Sequence, residues 1–361
     1  MLVHICCSVD SHYFLTRLRE DYPNEKLIGY FYNPNIFPKS EYNLRLVDAK
    51  RSCNKLGIEF LEGVYDDENW AKNVRGMEEI PEKGSRCEVC FDIRFENSAL
   101  KAKELEINTF TSTLLQSPLK DKNQLKKSLA KISTRYGVEF VFVDYLSNGG
   151  KEAQSKTANN EGLYRQNYCG CVWGVINQRK NSTKPNTECF SPLDKTVLPS
   201  SSEKRIQIYT EFAKKPKAQK SIKSKILNYR LLNAKLEIDG KTIPSYIPAY
   251  STSGKKSFTS MIDFEDDGII YLKKESAKII NLSKWCQISG KNYKNLNELL
   301  SNPPSFEEQV FGRFKISGAI YDISPIFVVE ELSKAKSYTI TLDALFFEDT
   351  DENIPKGDSD E

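Results

Sequence analysis

The chemistry available to this sequence is concentrated in its cysteines. Of nine, six fall into close pairs: Cys6-Cys7 are adjacent, Cys87-Glu88-Val89-Cys90 is a CxxC, and Cys169-Gly170-Cys171 is a CxC. Four thiolates can bind zinc tetrahedrally or hold a [4Fe-4S] cube, and spacing alone does not choose between the two. The CxC pair differs from the others. A disulfide across one intervening residue closes a very small, strained ring that is easily reduced. The pair therefore suits transient storage of two electrons, and Gly170 removes side-chain obstruction at the tight point. The alternative is that both sulfurs ligate metal. Cys53, Cys189 and Cys286 have no partner spacing and read as buried apolar filler. The two histidines, His4 and His12, both precede the CxxC, so a Cys2His2 zinc site of the usual order is not available. Asp10, three residues beyond Cys7, can ligate an iron, donate a proton if burial raises its pKa, or cap the helix that follows it.

These side chains need a frame. Leu2-Val3-His4-Ile5 is a short, mostly apolar run that predicts a buried strand ending at the cysteine pair. Adjacent residues on a regular strand point to opposite faces, so Cys6 and Cys7 can share a site only where the strand stops. Helices are expected from Asp10 to Asp21, from Glu41 to Leu56 and from Arg94 through Leu105, with further strands at Leu27–Tyr32, Ile58–Leu61, Thr109–Leu115 and Glu139–Val143. Alternating strands and helices predict a parallel α/β sheet of Rossmann-like, nucleotide-binding type. In such sheets ligands gather beyond the carboxyl ends of the strands, which is where Cys6 and Cys7 fall. A CxxC at a helix start places both sulfurs near backbone N–H groups, which favour thiolate.

Composition shifts after the CxC. The expected organisation is a metal and redox domain over residues 1–177, a Lys-, Ser- and Pro-rich linker over 178–204, a smaller α+β domain over 205–348 and an acidic, disordered tail over 349–361. Lys214-Lys215-Pro216-Lys217, Lys220 and Lys223 read as a basic helix or a solubilising stretch, and Asp239-Gly240 as a hairpin turn after Lys235–Ile238. A net charge of +3 on 361 residues means that a nucleic-acid partner would have to use a local patch. No run approaches the roughly 20 apolar residues that span a bilayer, and Met1–Cys7 lacks a basic segment and a small-residue cleavage site. A cytoplasmic protein without membrane contact is expected. Without a Walker or GxGxxG loop, ATP or NAD binding is unsupported.

Several motifs, taken together and in order, resemble a known family. They are His4-Ile5-Cys6-Cys7; Tyr32-Asn33-Pro34-Asn35-Ile36 with Pro38, Glu41-Tyr42 and Arg45; Arg86-Cys87-Glu88-Val89-Cys90-Phe91 with Arg94; Phe110–Leu115 with Ser117-Pro118 and Lys120; and Gly162–Cys171. This set, over residues 2–175, is similar to the QueH-type epoxyqueuosine reductases. The resemblance implies reduction of epoxyqueuosine to queuosine at the wobble position of tRNA, the last step of queuosine biosynthesis. It implies a [4Fe-4S] cluster held by Cys6, Cys7, Cys87 and Cys90, with Cys169 and Cys171 as the redox-active pair and an unidentified electron donor. Asp10 leaves room for an additional iron or a proton donor. The chain departs from the family near Asp144-Tyr145, where Leu146–Gly150 follows without an Arg-Lys pair. Two other readings stand beside this one: an ATP-dependent tRNA-thiolating enzyme, disfavoured by the missing pyrophosphate loop, and a zinc-stabilised RNA-binding module. Tyr30, Phe31, Tyr32, Tyr164 and Tyr168 are candidates for stacking on splayed bases, and Arg45 and Arg94 for contacts to phosphate or carboxylate.

Overall fold

The computed structural model describes residues 1–180, 185, 194–214, 220–319 and 322–354. Cys189, Asn181-Ser182-Thr183 and Lys215–Lys217 lie outside the described residues. The chain divides into two units, one of Met1–Cys189, Arg205–Ile222 and Glu352–Glu361, the other of Phe190–Lys204 and Lys223–Asp351.

The first unit is built on short apolar strands joined by helices: β1 (Leu2–His4), α1 (Ser8–Asp21), β2 (Ile28–Phe31), α2 (Lys39–Lys55), β3 (Glu59–Glu62), α3 (Asp67–Asn73), α4 (Ser85–Glu104), β4 (Thr109–Ser112), α5 (Lys122–Tyr136), β5 (Glu139–Phe140), α6 (Gly150–Asn160) and α7 (Val172–Gln178). Every pairing in the sheet is parallel and the strand order is β3-β2-β1-β4-β5. The expected Rossmann-like α/β architecture is therefore present. The order reverses at β1, which pairs with β2 on one side and β4 on the other, and a ligand site is expected at the carboxyl end of such a strand. Phe14, Phe31, Phe95 and Phe110 are fully buried around β1; truncating any one to Ala would cost about 3–5 kcal/mol.

Some boundaries differ from those expected. α1 starts at Ser8 with Cys7 at its N-cap, so Asp10 lies inside the first turn and is not the cap. α4 starts at Ser85 rather than Arg94, which puts the CxxC in its opening turns. The run after β4 turns into a 3₁₀ turn, Thr113–Gln116. α8 (Ser202–Lys214) begins in the expected linker, and its Ile208, Tyr209 and Phe212 bury against Leu44 and Tyr164 of the first unit. Residues 205–222 thus group with Met1–Cys189, not with the expected accessory domain. Lys223 stands on a strand, not on a basic helix.

The second unit holds β6 (Ile222–Ile238), β7 (Lys241–Thr242), β8 (Lys256–Asp266), β9 (Ile269–Leu272), β10 (Lys278–Asn281), α9 (Leu282–Ser289), α10 (Leu296–Ser301), α11 (Phe306–Ser317), β11 (Ile326–Val329) and β12 (Ser337–Asn353). Its seven-stranded mixed sheet runs β11-β10-β9-β8-β12-β6-β7. β12 carries the chain through Glu348–Asn353, where an acidic tail was expected to begin. Among the described residues, no helix is long and apolar enough to cross a membrane.

Candidate active site

β1 ends at His4, and the turn into α1 lets Cys6 and Cys7 share one side of the sheet edge. Their sulfurs lie 3.8 Å apart, and the Cys6 thiol donates to Asp10 Oδ2 at 3.5 Å. The ligand atoms of Cys6, Cys7 and Asp10 all lie within 4.8 Å of one another, and all three residues are buried. Neighbours aim this group. The Thr113 hydroxyl donates to Cys6 Sγ at 3.4 Å, Gln166 Nε2 to Cys7 Sγ at 3.1 Å, and Gln154 Nε2 to Asp10 Oδ1 at 2.7 Å. The hydrogen bond from Cys6 and burial push the Cys7 thiol well up, and burial raises the Asp10 carboxyl.

Cys6 and Asp10 line one cavity, and the other four paired cysteines line a second, smaller one: Cys87 and Cys90 from the start of α4, Cys169 and Cys171 from the loop before α7. Arg86, Arg94 and Lys120 line it too. Arg86 donates through Nη1 to the carbonyls of Met77 and Glu78, and Arg94 through Nη2 to Asn33. Yet Arg86 Nε and Nη2 and Arg94 Nε are buried without a hydrogen-bond partner. Buried guanidinium N–H groups without acceptors are costly. Four sulfurs beside such donors form a cradle suited to an anionic iron–sulfur cluster.

Cys169 and Lys120 line both cavities. Lys120 Nζ donates to Cys169 Sγ at 2.8 Å. Burial alone would raise the Cys169 thiol, but the charge and hydrogen bond of Lys120 bring it below its ordinary value. The other three are raised by burial, Cys171 to about 12. Cys171 Sγ also accepts from the Gly174 N–H at 3.2 Å, at the start of α7.

A buried ion pair holds the CxC loop. Arg45 Nε meets Glu41 Oε1 at 2.8 Å, and its other nitrogens donate to the Cys169 carbonyl at 2.8 Å and the Tyr168 carbonyl at 3.1 Å. The Tyr164 hydroxyl donates to Glu41 Oε2 at 2.9 Å. One turn further along α2, Asp48 accepts from the Tyr164 N–H at 2.8 Å and pairs with Arg51, which donates to the Gly162 carbonyl at 2.9 Å. Arg45 is thus a clamp on the loop rather than a phosphate contact. Gly170 has φ +143°, and an added Cβ would lie 3.0 Å from Asn35 Nδ2 and 3.1 Å from Ile36 Cγ1. Gly170→Ala is therefore expected to strain the loop by about 1–3 kcal/mol, visible as a lower melting temperature together with slower turnover.

All seven cysteine and aspartate candidates face these two adjoining cavities or the triad at their edge. The five candidate stackers do not face solvent. Tyr30, Phe31, Tyr32, Tyr164 and Tyr168 are buried, Tyr30 and Tyr32 stacking with ring centroids 6.3 Å apart. Lys120, Gln166, Asn33 and Arg86 belong to the motif runs but carried no role from spacing. Gln154 and Thr113 gave no sequence signal, because only the folded chain brings them to Asp10 and Cys6.

Residues 1–177 match the family described as Epoxyqueuosine reductase QueH. A relative named Epoxyqueuosine reductase QueH from Helicobacter pylori is 39% identical over 97% of this chain and 98% of its own length. The chain belongs to the epoxyqueuosine reductase QueH family. As a member it is an oxidoreductase enzyme. The Thermotoga maritima relative of the same name is 31% identical, and the match takes in 92% of that protein but 50% of this chain. Nearly the whole of that relative thus corresponds to about half of the present chain. A solved structure of the U34-tRNA thiolase NcsA from Methanococcus maripaludis with its [4Fe-4S] cluster has a TM-score of 0.25 and 13% identity, over 60% of this chain and 72% of that one.

Proposed function

We propose that this family member reduces epoxyqueuosine to queuosine on the wobble nucleotide of tRNA, in the cavity bordered by Cys6, Asp10, Lys120 and Cys169. The observation that carries this reading is the convergence of Cys6 and Asp10 with Cys169 and Lys120 on that one cavity. The reaction cleaves both C–O bonds of an epoxide, forms a C=C bond and releases the oxygen as water. It consumes two electrons and two protons, the electrons arriving from an external donor.

The donor sets support two metal sites. Cys87, Cys90, Cys169 and Cys171 would hold a [4Fe-4S] cluster, their charge offset by Arg86, Arg94 and Lys120. Cys6, Cys7 and Asp10 would hold a single additional iron. When bound, these groups supply one-electron transfer and Lewis acidity. The chain's own side chains do the rest. Gln154 and Gln166 orient Asp10 and Cys7, Thr113 orients Cys6, and the Arg45 clamp presents Cys169. The buried walls at Ile36, Leu114 and Tyr168 limit water at the reacting nucleotide.

A second reading keeps the cluster on Cys6, Cys7, Cys87 and Cys90 and leaves Cys169–Cys171 as a redox pair. It is favoured by the Lys120 contact, whose charge and hydrogen bond bring the Cys169 thiol below its ordinary value. The test of the activity itself is anaerobic incubation of iron- and sulfide-reconstituted protein with epoxyqueuosine-bearing tRNA and a chemical one-electron reductant. Nucleoside mass spectrometry should show loss of one oxygen from the modified base. A fully reconstituted enzyme that leaves the epoxide intact would sink the proposal.

A further inference from the structure

The buried tyrosines leave the question of what holds a nucleotide at this cavity. A wobble base that reaches Cys6 and Cys169 must leave its stack, and proteins that take such bases replace the lost stacking with aromatic faces. Among the described residues of the first unit, the exposed phenylalanines are Phe37 and Phe142. Phe142 lies under Lys126, whose Nζ is 5.3 Å from the ring centroid. Phe37 stands at the CxC loop. Its N–H donates to the Gly170 carbonyl at 2.9 Å, and its own carbonyl accepts from the Tyr168 hydroxyl. The preceding Ile36 is part of the cavity wall, and its carbonyl accepts from the Tyr65 hydroxyl at 2.7 Å. The backbone of Ile36 and Phe37 is therefore tied to the CxC loop and to Tyr65, while the Phe37 side chain remains 39% exposed. Leu119, also in the cavity wall and next to Lys120, is 67% exposed.

We infer that Phe37 is a stacking platform for an unpaired base of the tRNA anticodon loop, with Leu119 as a second apolar contact at the cavity. The inference rests on the proposed tRNA reaction and deepens it. The occupant is a base because Leu119 lines the cavity that must accept a nucleotide, and the exposed Phe37 ring follows directly on Ile36 of the same wall. Arg165, an exposed cation on the Gly162–Cys171 run, suits a neighbouring phosphate, whereas the Lys39 ammonium is held over the Tyr42 and Tyr65 rings, 4.0 and 3.7 Å from their centroids.

The experiment uses the full chain, reconstituted anaerobically, and an anticodon stem-loop bearing epoxyqueuosine. Phe37→Ala should weaken stem-loop binding and raise KM by roughly 5- to 150-fold, the worth of one base stack. Iron and sulfide content should be unchanged, kcat should stay within about two-fold of wild type, and Phe37→Trp should restore affinity. Because stacking releases no counterions, the salt dependence of binding should keep its slope in Phe37→Ala, whereas Arg165→Gln should flatten it by about one charge. Unchanged stem-loop affinity in Phe37→Ala overturns the platform while leaving the reaction standing. So does a defect confined to the rate of reduction by a protein electron donor, which would make this side chain a docking point for that protein. Wild-type enzyme that neither binds nor reduces the stem-loop removes both the platform and the reading beneath it.

Discussion

Cys87→Ser and Cys169→Ser are each expected to purify without the brown colour and acid-labile sulfide of a cluster, and both should be inactive. Cys6→Ser is expected to keep the sulfide, to lose only the iron in excess of the cluster, and to be equally inactive. The reasoning is geometric. Cys87, Cys90, Cys169 and Cys171 line one cavity, in which Arg86 and Arg94 present unsatisfied donors, while Cys6 shares its immediate surroundings with Cys7 and Asp10. Removing one of four thiolates would leave a cube with an open corner beside the unsatisfied N–H groups of Arg86 and Arg94. Removing Cys6 leaves that cavity untouched. Iron and sulfide analysis on anaerobically prepared variants decides the matter. Cluster retention in Cys169→Ser combined with cluster loss in Cys6→Ser would transfer the ligand role to the first pair and leave the CxC as a redox couple. Lys120→Met provides a finer readout. Its ammonium lies 2.8 Å from Cys169 Sγ, so its loss should move the cluster's reduction potential to more negative values and slow turnover by about 10–100-fold, as for other groups that support a metal ligand.

The parts of this site that are legible in the sequence are those that depend on neighbours along the chain. A four-residue apolar run stopping at two cysteines locates the end of β1 and the turn that lets both sulfurs share a side. The CxxC and CxC announce themselves by spacing. Which sulfurs face one another is a long-range property, since Cys87 and Cys169 meet only because α4 and the loop before α7 converge. Helix starts are read late for a related reason. The opening turns of α1 and α4 carry Ser8, Asp10, Arg86 and Cys87, polar residues that face the interior and so leave no apolar stripe. Buried charge misleads in the same direction. The inner face of α2 holds Glu41, Arg45, Asp48 and Arg51 beside its apolar positions, and hydrophobic periodicity cannot see a face that is paired rather than apolar. In β12, Glu348, Asp349 and Asp351 suggest a solvated tail, yet Asp351 accepts from the Ser200 N–H and Lys204 within the same unit, and the strand continues to Asn353. Composition reports charge; it does not report whether the charge has a partner.

Arg45→Met tests the clamp most severely. The substitution leaves Glu41 as a buried carboxylate with its guanidinium gone, and removes two donors from the carbonyls of Tyr168 and Cys169. Breaking one side of a buried ion pair is worth about 3–5 kcal/mol. For a domain of this size that corresponds to a fall in melting temperature of roughly 6–20 °C. Glu41→Gln alone should be milder, because the amide oxygen can still accept from Arg45 and the amide NH2 can donate to a reoriented Tyr164 hydroxyl, although the charge on Arg45 loses its counterpart. The double variant Glu41→Gln, Arg45→Met should regain much of the stability lost by Arg45→Met, since no unpaired charge remains in the interior. It should not regain activity. The Cys169 carbonyl would still lack its donor, and the sulfur two bonds from that Cα would no longer be held against Lys120. Thermal melts of the three variants, set beside turnover on modified tRNA under saturating substrate, separate the two effects. If stability and activity recover together in the double variant, Arg45 serves the fold alone. If stability returns without turnover, the guanidinium is what fixes the CxC loop in its working position.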